Sequence, residues 1–316
     1  MPIVGQTGSA DTRNNAAVVV NQNLRYKIVG SHFLHQLSEG DILNDIAQRI
    51  ADGRRLIIPV GLPQAGKSMF IASLIAYAFQ RDEKEDNSCN FMNVVPREVS
   101  GIKNITDALS QRNLLPSTRP NEITIVDLDM KSRYRNRKIK VSLIDLSGED
   151  IKSLIAGGNA DNQDTIGKIG NILNACIAQR AIFAILTPVD EKIIELGRES
   201  DFDKEEDAVM KAFIDKVRSD NPRLYDLTKF LIVITKWDKL PKSTSSSNYL
   251  QLHRNQLYNE LTSNSKSYGL LPYSVGDVVS NKIMRIVLRS PKNFWYTLYR
   301  WCTGKHVLPW WKRLFS

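Results

Sequence analysis

The stretch that decides the fold is Gly61-Leu62-Pro63-Gln64-Ala65-Gly66-Lys67-Ser68. Residues 55–61 predict a short apolar strand that leads into this stretch, and residues 67–80 predict an amphipathic to buried helix after it. The spacing GxxxxGK[ST] between a strand and a helix is typical of a phosphate-binding loop. Its glycines let consecutive backbone N–H groups point at phosphate oxygens, at the positive end of the following helix.

This loop supplies the side chains that a nucleotide phosphate requires. Lys67 is expected to place a positive charge on the β- and γ-phosphates, and the Ser68 hydroxyl to ligate Mg²⁺. The other loop residues expected to contact the nucleotide are Gly61, Gln64, Ala65, Gly66 and Met69. A glycine-rich turn without a ligand is the alternative interpretation, but the strand before the loop and the helix after it favour a phosphate site.

A second pattern ends the apolar run Val141-Ser142-Leu143-Ile144 with Asp145-Leu146-Ser147-Gly148. A carboxylate at the end of a strand can hold a water of the Mg²⁺ shell, so Asp145 is a predicted metal residue. The Gly148 N–H is expected to contact a γ-phosphate, with Glu149 beside it. Alone, such a strand end is usually only a turn. After a phosphate-binding loop it predicts a γ-phosphate sensor, and Lys67, Gly148 and Glu149 become candidate catalytic residues.

A third pattern is Thr235-Lys236-Trp237-Asp238, again at the end of an apolar run. A carboxylate such as Asp238 can accept two hydrogen bonds from the N1 and 2-amino groups of guanine, which adenine cannot offer. The wrong base would leave a charged acceptor unpaired, so a site of this kind discriminates strongly. The stem of Lys236 is expected to lie along the base. Taken alone, Lys-x-Asp in a loop is an ordinary surface sequence.

In this order and spacing, the motifs resemble the TRAFAC class of P-loop GTPases, which includes Ras-like and translation-factor-related members, and in particular bacterial-type domains of that class. The resemblance covers residues 53–280 and implies a domain that binds GTP or GDP with Mg²⁺. It also identifies Ser274 and Val275 as part of a fifth, guanine-side motif. The resemblance also implies a threonine before the hairpin that ligates Mg²⁺ and reads the γ-phosphate. Thr118 matches best and is therefore a further candidate catalytic residue, and Thr106 is the second choice.

The chain departs from this family at three positions. Thr235 replaces the usual Asn, although a hydroxyl can still bridge to the phosphate-binding loop. Glu149 stands where Ras-like members have Gln, and a carboxylate is repelled by a γ-phosphate, which predicts slow hydrolysis. Pro63 disfavours an arginine supplied by an activating protein. Arg112 or Arg119 could supply one from within the chain, but an ordinary exposed arginine is the favoured interpretation of both.

Alternation of strands and helices predicts an α/β P-loop NTPase fold, with a mainly parallel sheet, one antiparallel hairpin strand and helices on both faces. Residues 122–130 and 138–145 predict the hairpin. Further strands are predicted at 181–187, 230–235 and, as the last, 270–274. Helices are predicted at 38–53, 151–155, 205–218 and 249–261.

The predicted domain organisation is a flexible leader at 1–37, a GTPase domain at 38–280 and a basic, aromatic C-terminal helix and tail at 281–316. Residues 82–114 make the segment before the hairpin longer than in minimal family members. We expect this segment to be an insert that contacts a partner.

Composition and charge narrow the class of protein. The 316 residues are 42% hydrophobic and 24% charged, which is ordinary for a globular chain. Cys89, Cys176 and Cys302 are far apart and lack metal-ligand spacing, so free thiols in a reducing cytoplasm are expected. Neither a secretory signal nor a membrane-spanning run is visible.

The net charge of +9 is concentrated in residues 281–316, which contain no Asp or Glu. The positive side chains of this stretch are Lys282, Arg285, Arg289, Lys292, Arg300, Lys305, Lys312 and Arg313. Tryptophan and tyrosine are interleaved with them, which suits an anionic membrane surface, a protein groove or single-stranded nucleic acid. The alternative for residues 282–300 is a last helix packed on the sheet.

Together these observations predict a GTP-binding, slowly hydrolysing molecular switch that acts through a protein effector or a multi-protein complex. The expected location is cytoplasmic, with peripheral membrane contact through the tail. A nucleotide-dependent binding module without turnover and a membrane-associated adaptor are the alternatives. An ATP-using P-loop protein is the remaining alternative.

Overall fold

A computed structural model describes residues 32–33, 39–79, 89–91, 120, 122–132, 134–157, 163–189, 201–263, 268–279 and 282–308. Its strands are β1 His32–Phe33, β2 Arg55–Val60, β3 Cys89–Phe91, β4 Glu122–Ser132, β5 Lys138–Leu146, β6 Ile182–Pro188, β7 Lys229–Thr235, β8 Tyr268–Pro272, β9 Gly276–Val279 and β10 Lys282–Ile286. Its helices are α1 Glu39–Ala51, α2 Lys67–Phe79, α3 Gly148–Ala156, α4 Gln163–Ala178, α5 Asp201–Asp220, α6 Pro222–Tyr225, α7 Ser246–His253, α8 Asn255–Ser263 and α9 Arg289–Thr303. None of the helices in these ranges is long and apolar enough to cross a membrane.

The main sheet has eight strands. The order β1-β4-β5-β2-β6-β7-β8 places β2 near the middle, and β3 pairs with β4 beside β1. The strands from β5 to β8 are parallel neighbours, whereas β4 runs antiparallel to β5 over the predicted hairpin. The predicted fold class is confirmed: the sheet is mainly parallel, and the carboxyl ends of its parallel strands meet at one edge.

Two apolar cores cover the two faces of this sheet. Along β2, Leu56, Ile58 and Val60 belong to one core, and Ile57 between them belongs to the other. The first core is completed by α1 and by α3 to α8, and the second by α2 and α9. Successive residues of a strand point to opposite faces, so a continuous apolar run in β2 is what a strand covered on both sides requires.

The structure differs from the sequence prediction at three places in the C-terminal half. The helix predicted at 249–261 is two helices, α7 and α8, which are separated at Arg254. Helix α4 was not predicted, although its apolar residues Ile169, Ile172, Leu173 and Cys176 recur at helical spacing. Strand β8 is not the last strand, because β9 and β10 form a separate two-stranded sheet after it.

The C-terminal residues that the structure describes pack on the sheet. Helix α9 begins at Arg289 rather than Lys282, and it buries Phe294, Trp295, Leu298 and Tyr299 in the second core. Residues 289–303 therefore pack on the sheet as a helix, whereas residues 282–286 of the helix predicted as the alternative form strand β10. The predicted leader apart from β1, most of the 82–114 insert and residues 309–316 lie outside the described residues.

Candidate nucleotide-binding site

The loop between β2 and α2 has a backbone that turns sharply. Gln64 and Gly66 have positive φ angles of 71° and 86°, and the Ala65 N–H donates to the Leu62 carbonyl at 3.1 Å. Helix α2 begins at Lys67, so its first N–H groups lack partners within the helix. A loop that curls at a helix N-terminus in this way is a ready site for a phosphate group.

Lys67 and Asp145 lie side by side beneath this loop. The Lys67 Nζ is 3.4 Å from the Asp145 Oδ1, and the two side chains are 7% and 12% exposed. The Nζ is buried and makes no hydrogen bond to any residue that the structure describes. A buried ammonium is costly unless its N–H groups are satisfied. The position therefore suits an anionic ligand such as a phosphate, and the adjacent carboxylate suits the water shell of Mg²⁺.

Gly148 lies directly against the phosphate-binding loop. A Cβ at this position would be 2.7 Å from the Pro63 nitrogen and 2.8 Å from the Gly61 carbonyl oxygen. The next helix begins here because the Ser147 side chain accepts the N–H groups of Glu149 and Asp150. The second motif is thus in contact with the first, while the Glu149 side chain is exposed at the surface of α3.

Thr235 brings the third motif to the same loop. Its Oγ1 donates to the Ala65 carbonyl oxygen at 2.8 Å in a buried position. This contact is the bridge that the sequence predicts for a hydroxyl at that position. Lys236, which follows, has a left-handed backbone with φ 57° and ψ 29°, and its side chain is exposed.

Asp238 and Ser274 meet at the end of β7 and β8. The Ser274 hydroxyl donates to the Asp238 Oδ1 at 2.5 Å, and the Ser274 N–H donates to the Ser290 Oγ on α9 at 3.0 Å. The Trp237 N–H donates to the Tyr273 carbonyl. The structure therefore joins the third motif, the predicted fifth motif and the first turn of α9.

The structure also locates the remaining predicted residues. Ser68 and Met69 are half-buried at the start of α2, Gln64 is exposed, and Val275 is half-buried beside Ser274. Thr118 and the second choice, Thr106, lie outside the described residues, as do Arg112 and Arg119. The described ranges contain no cluster of three or more His, Cys, Asp or Glu residues that could hold a metal.

Sequence reasoning missed two residues that support this site. The Tyr273 hydroxyl shares a buried hydrogen bond with the Ser73 hydroxyl on α2, and its ring packs edge-on against Phe70. Burial raises the pKa of Tyr273, so the phenol stays protonated. Ser290 is the second, through its contact with Ser274. No local sequence pattern marks either residue, since both contact residues that are distant in the chain.

The geometry of the loop, Asp145 and Gly148 agrees with a match to one known protein family. A family model described as Double-GTPase 1 matches residues 58–166, which include the loop, Asp145 and Gly148. No curated protein matches the chain. Among solved structures, the chain is similar to one from the signal recognition particle receptor SRb-GTP/SRX complex of Chaetomium thermophilum. The identity is 12% and the TM-score 0.40, with 72% of this chain and 92% of that chain covered. The family match and the geometry support a P-loop GTPase domain.

Proposed function

We propose that the chain binds a guanine nucleotide with Mg²⁺ and acts as a switch for protein partners. The observation that carries the proposal is the buried Lys67 Nζ, which lies 3.4 Å from Asp145 beneath a loop that both Gly148 and Thr235 contact. In this proposal Lys67 binds the β- and γ-phosphates, and the Gly148 N–H detects whether the γ-phosphate is present.

Guanine is the proposed base because of Asp238. Its carboxylate can accept the two N–H groups of guanine, and the hydrogen bond from Ser274 fixes its orientation. Lys236 is proposed to cover one side of the ring, because its side chain is exposed two residues before Asp238. Adenine would leave this carboxylate without donors, and the penalty for an unpaired charged acceptor is large.

The residues proposed to hold Mg²⁺ are Ser68, Asp145 and, from the sequence, Thr118. Mg²⁺ usually keeps several waters and takes only one or two protein ligands together with the phosphates. When bound, the ion neutralises part of the charge on the phosphates. Asp145 is 8% exposed at the end of β5, so it is held in place by the sheet rather than by a surface loop.

Slow hydrolysis is proposed from the position of Glu149. In the reaction a water attacks the γ-phosphorus, the bond to the bridging oxygen breaks, and GDP and phosphate are released. Glu149 is exposed in the first turn of α3, at the position where the resembling family has a neutral Gln. The repulsion between a carboxylate and the γ-phosphate disfavours its approach. A nucleotide-dependent module without turnover is the second candidate, favoured by the same residue.

The test begins with the nucleotide that is released when the purified chain is denatured. GDP or GTP is expected, and Lys67→Ala should remove it, while the matched variant Lys242→Ala, an exposed lysine outside the site, should retain it. Steady phosphate release with GTP that is lost in Lys67→Ala would support hydrolysis. Binding without release would support the second candidate. ATP retention that Asp238→Ala leaves unchanged would refute the guanine proposal.

A further inference from the structure

A group of exposed cations lies at the edge of the sheet opposite the phosphate-binding loop. The parallel strands begin at this edge, and α9, which starts near Ser274, ends there. The exposed residues of this group, here named the C-terminal basic surface, are Arg55 at the start of β2, Arg137 before β5, Lys229 at the start of β7, and Arg300 and Lys305 around the end of α9.

Contacts with the end of α9 bring these distant residues together. The Lys229 Nζ donates to the Trp301 carbonyl at 3.2 Å and lies 5.6 Å from the centre of the Trp301 ring. Arg137 donates to the Thr303 carbonyl at 2.9 Å, and its own carbonyl accepts the Tyr299 hydroxyl. Lys229 and Arg137 thus stabilise the carbonyl end of α9, which explains part of this arrangement.

Arg55 belongs to the same group. Burial raises the pKa of the Cys302 thiol, and the positive charges of Arg55 and Lys229 act against that rise. Both cations are therefore close to Cys302 in the last turn of α9. Residues that are far apart in the sequence thus form one positively charged surface.

The cations of this surface differ from the ion-paired lysines and arginines of α3, α4 and α5. Lysine and arginine side chains on α3, α4 and α5 form ion pairs with neighbouring carboxylates, for example Lys152 with Glu205 and Lys216 with Asp220. None of the five residues of the C-terminal basic surface forms an ion pair with a described carboxylate. The end of α9 uses only one N–H group of Arg137 and one of Lys229. Most of the positive charge of the surface therefore remains available for an external anion.

The chain continues from this surface into an aromatic and basic sequence. The Ser132 hydroxyl donates to the Val307 carbonyl at 2.9 Å, and Val307 and Leu308 are buried. Pro309-Trp310-Trp311-Lys312-Arg313-Leu314-Phe315 follows directly in the sequence. Tryptophan next to lysine and arginine is typical of the boundary between a bilayer and water.

We propose that the C-terminal basic surface binds the headgroups of an anionic lipid bilayer. A broad surface of unpaired cations matches the many weak charges of such a bilayer, and each basic residue near the surface adds to binding. Single-stranded nucleic acid would require aromatic rings free for stacking, whereas Trp301 is half-buried beneath Lys229. Because the phosphate-binding loop is at the other edge of the sheet, the candidate nucleotide site would face away from the membrane.

Co-sedimentation of the full chain with vesicles tests this proposal independently of nucleotide binding. Vesicles of phosphatidylcholine with phosphatidylserine should bind the chain, vesicles of phosphatidylcholine alone should not, and added salt should release it. The variant Arg300→Gln with Lys305→Gln should weaken binding by roughly tenfold to thirtyfold. The matched variant Lys204→Gln with Lys242→Gln removes the same charge from exposed positions elsewhere and should bind like the unmodified chain.

Several outcomes would overturn the proposal. The first is no binding to phosphatidylserine vesicles. The second is equal weakening of vesicle binding by both variant pairs, which would show that binding depends on net charge alone.

A chain lacking residues 309–316 should keep salt-sensitive vesicle binding that Arg300→Gln with Lys305→Gln reduces further. Complete loss of vesicle binding in that shortened chain would show that the tail sequence, and not the C-terminal basic surface, binds the membrane. Tight binding of a single-stranded RNA with no vesicle binding would assign the surface to nucleic acid. Unchanged thermal unfolding verifies that each variant is folded.

Discussion

The Thr235 Oγ1 donates a hydrogen bond of 2.8 Å to the carbonyl oxygen of Ala65, and the contact is buried. Thr235 ends β7, whereas Ala65 is in the loop after β2, and β6 lies between these two strands. The hydrogen bond therefore crosses one strand and joins the region proposed for the base to the region proposed for the phosphates. A loop that must keep its N–H groups pointing inward benefits from such a fixed carbonyl.

Thr235→Val should weaken nucleotide binding by about threefold to tenfold, because it removes this donor while it keeps the shape of the side chain. Fluorescence titration with a labelled guanine nucleotide measures the change. Thr228→Val is the matched control, since the Thr228 Oγ1 donates to the Leu224 carbonyl at 3.0 Å, away from the site. The control should lose stability without losing affinity. Equal loss of affinity in both variants would contradict a specific role for Thr235.

Gly148→Ala should destabilise the fold by about 1–3 kcal/mol and impair nucleotide binding, because the added methyl group cannot fit against the loop backbone. The nearest atoms to that methyl would be backbone atoms of Pro63 and Gly61, at 2.7 and 2.8 Å. Neither can move without distorting the loop. Urea unfolding and nucleotide titration measure the two effects.

Gly167→Ala is the control for this substitution. Gly167 lies within α4, and a Cβ there would meet nothing within 4 Å. Alanine should therefore stabilise the helix by up to about 1 kcal/mol and leave nucleotide binding unchanged. If Gly148→Ala behaved like Gly167→Ala, the close packing of the second motif on the loop would be refuted.

Much of the fold is predictable from the sequence because its signals are local. The apolar run of β2, the loop after it and the hairpin of β4 and β5 each follow from residue types at short spacing. The parallel order of the strands then places the ends of β2, β5 and β7 at one edge. For this reason the proximity of Lys67, Asp145 and Thr235 is expected from the amino-acid sequence alone, while their roles stay predictions.

The elements that the sequence does not predict depend on distant partners. Helix α7 ends at His253, because the guanidinium of the next residue, Arg254, is buried against the Thr187 hydroxyl and the Glu206 carboxylate. Helix α8 then begins where Asp207 on α5 accepts the N–H groups of Gln256 and Leu257. The sequence from 249 to 261 is helical throughout in local propensity, so only tertiary contacts reveal the break.

Glu206→Ala should destabilise the fold by about 3–5 kcal/mol, because it leaves the Arg254 guanidinium buried without its charged partner. The two side chains are fully buried and 3.0 Å apart. Lys211→Ala is the comparison, since the Lys211–Asp215 pair lies at the surface with its side chains 40% and 30% exposed, and losing it should lower the stability far less. Thermal or urea unfolding gives both values. Similar small losses of stability in the two variants would show that the Arg254–Glu206 pair is not structurally important.

The buried thiol of Cys176 should make stability fall at alkaline pH. Burial raises its pKa from 9.0 to about 12. The folded chain keeps the proton that the unfolded chain releases, so this contribution is complete below pH 9.0 and is lost as the pH rises toward about 12. The slope for one such group approaches about 1.4 kcal/mol per pH unit between these values. Other buried groups also titrate there, so the difference between the unmodified chain and Cys176→Ala isolates the thiol.

Urea unfolding of these two chains at a series of pH values up to 11 measures that difference. The unmodified chain should lose stability faster than Cys176→Ala as the pH rises, and parallel curves would contradict the buried, protonated thiol. Alkylation by iodoacetamide provides an independent measurement, because only the thiolate reacts. In the folded chain, Cys302, which is half-buried near Arg55 and Lys229, should be modified before Cys176. In urea the two should react at similar rates, because burial then protects neither thiol.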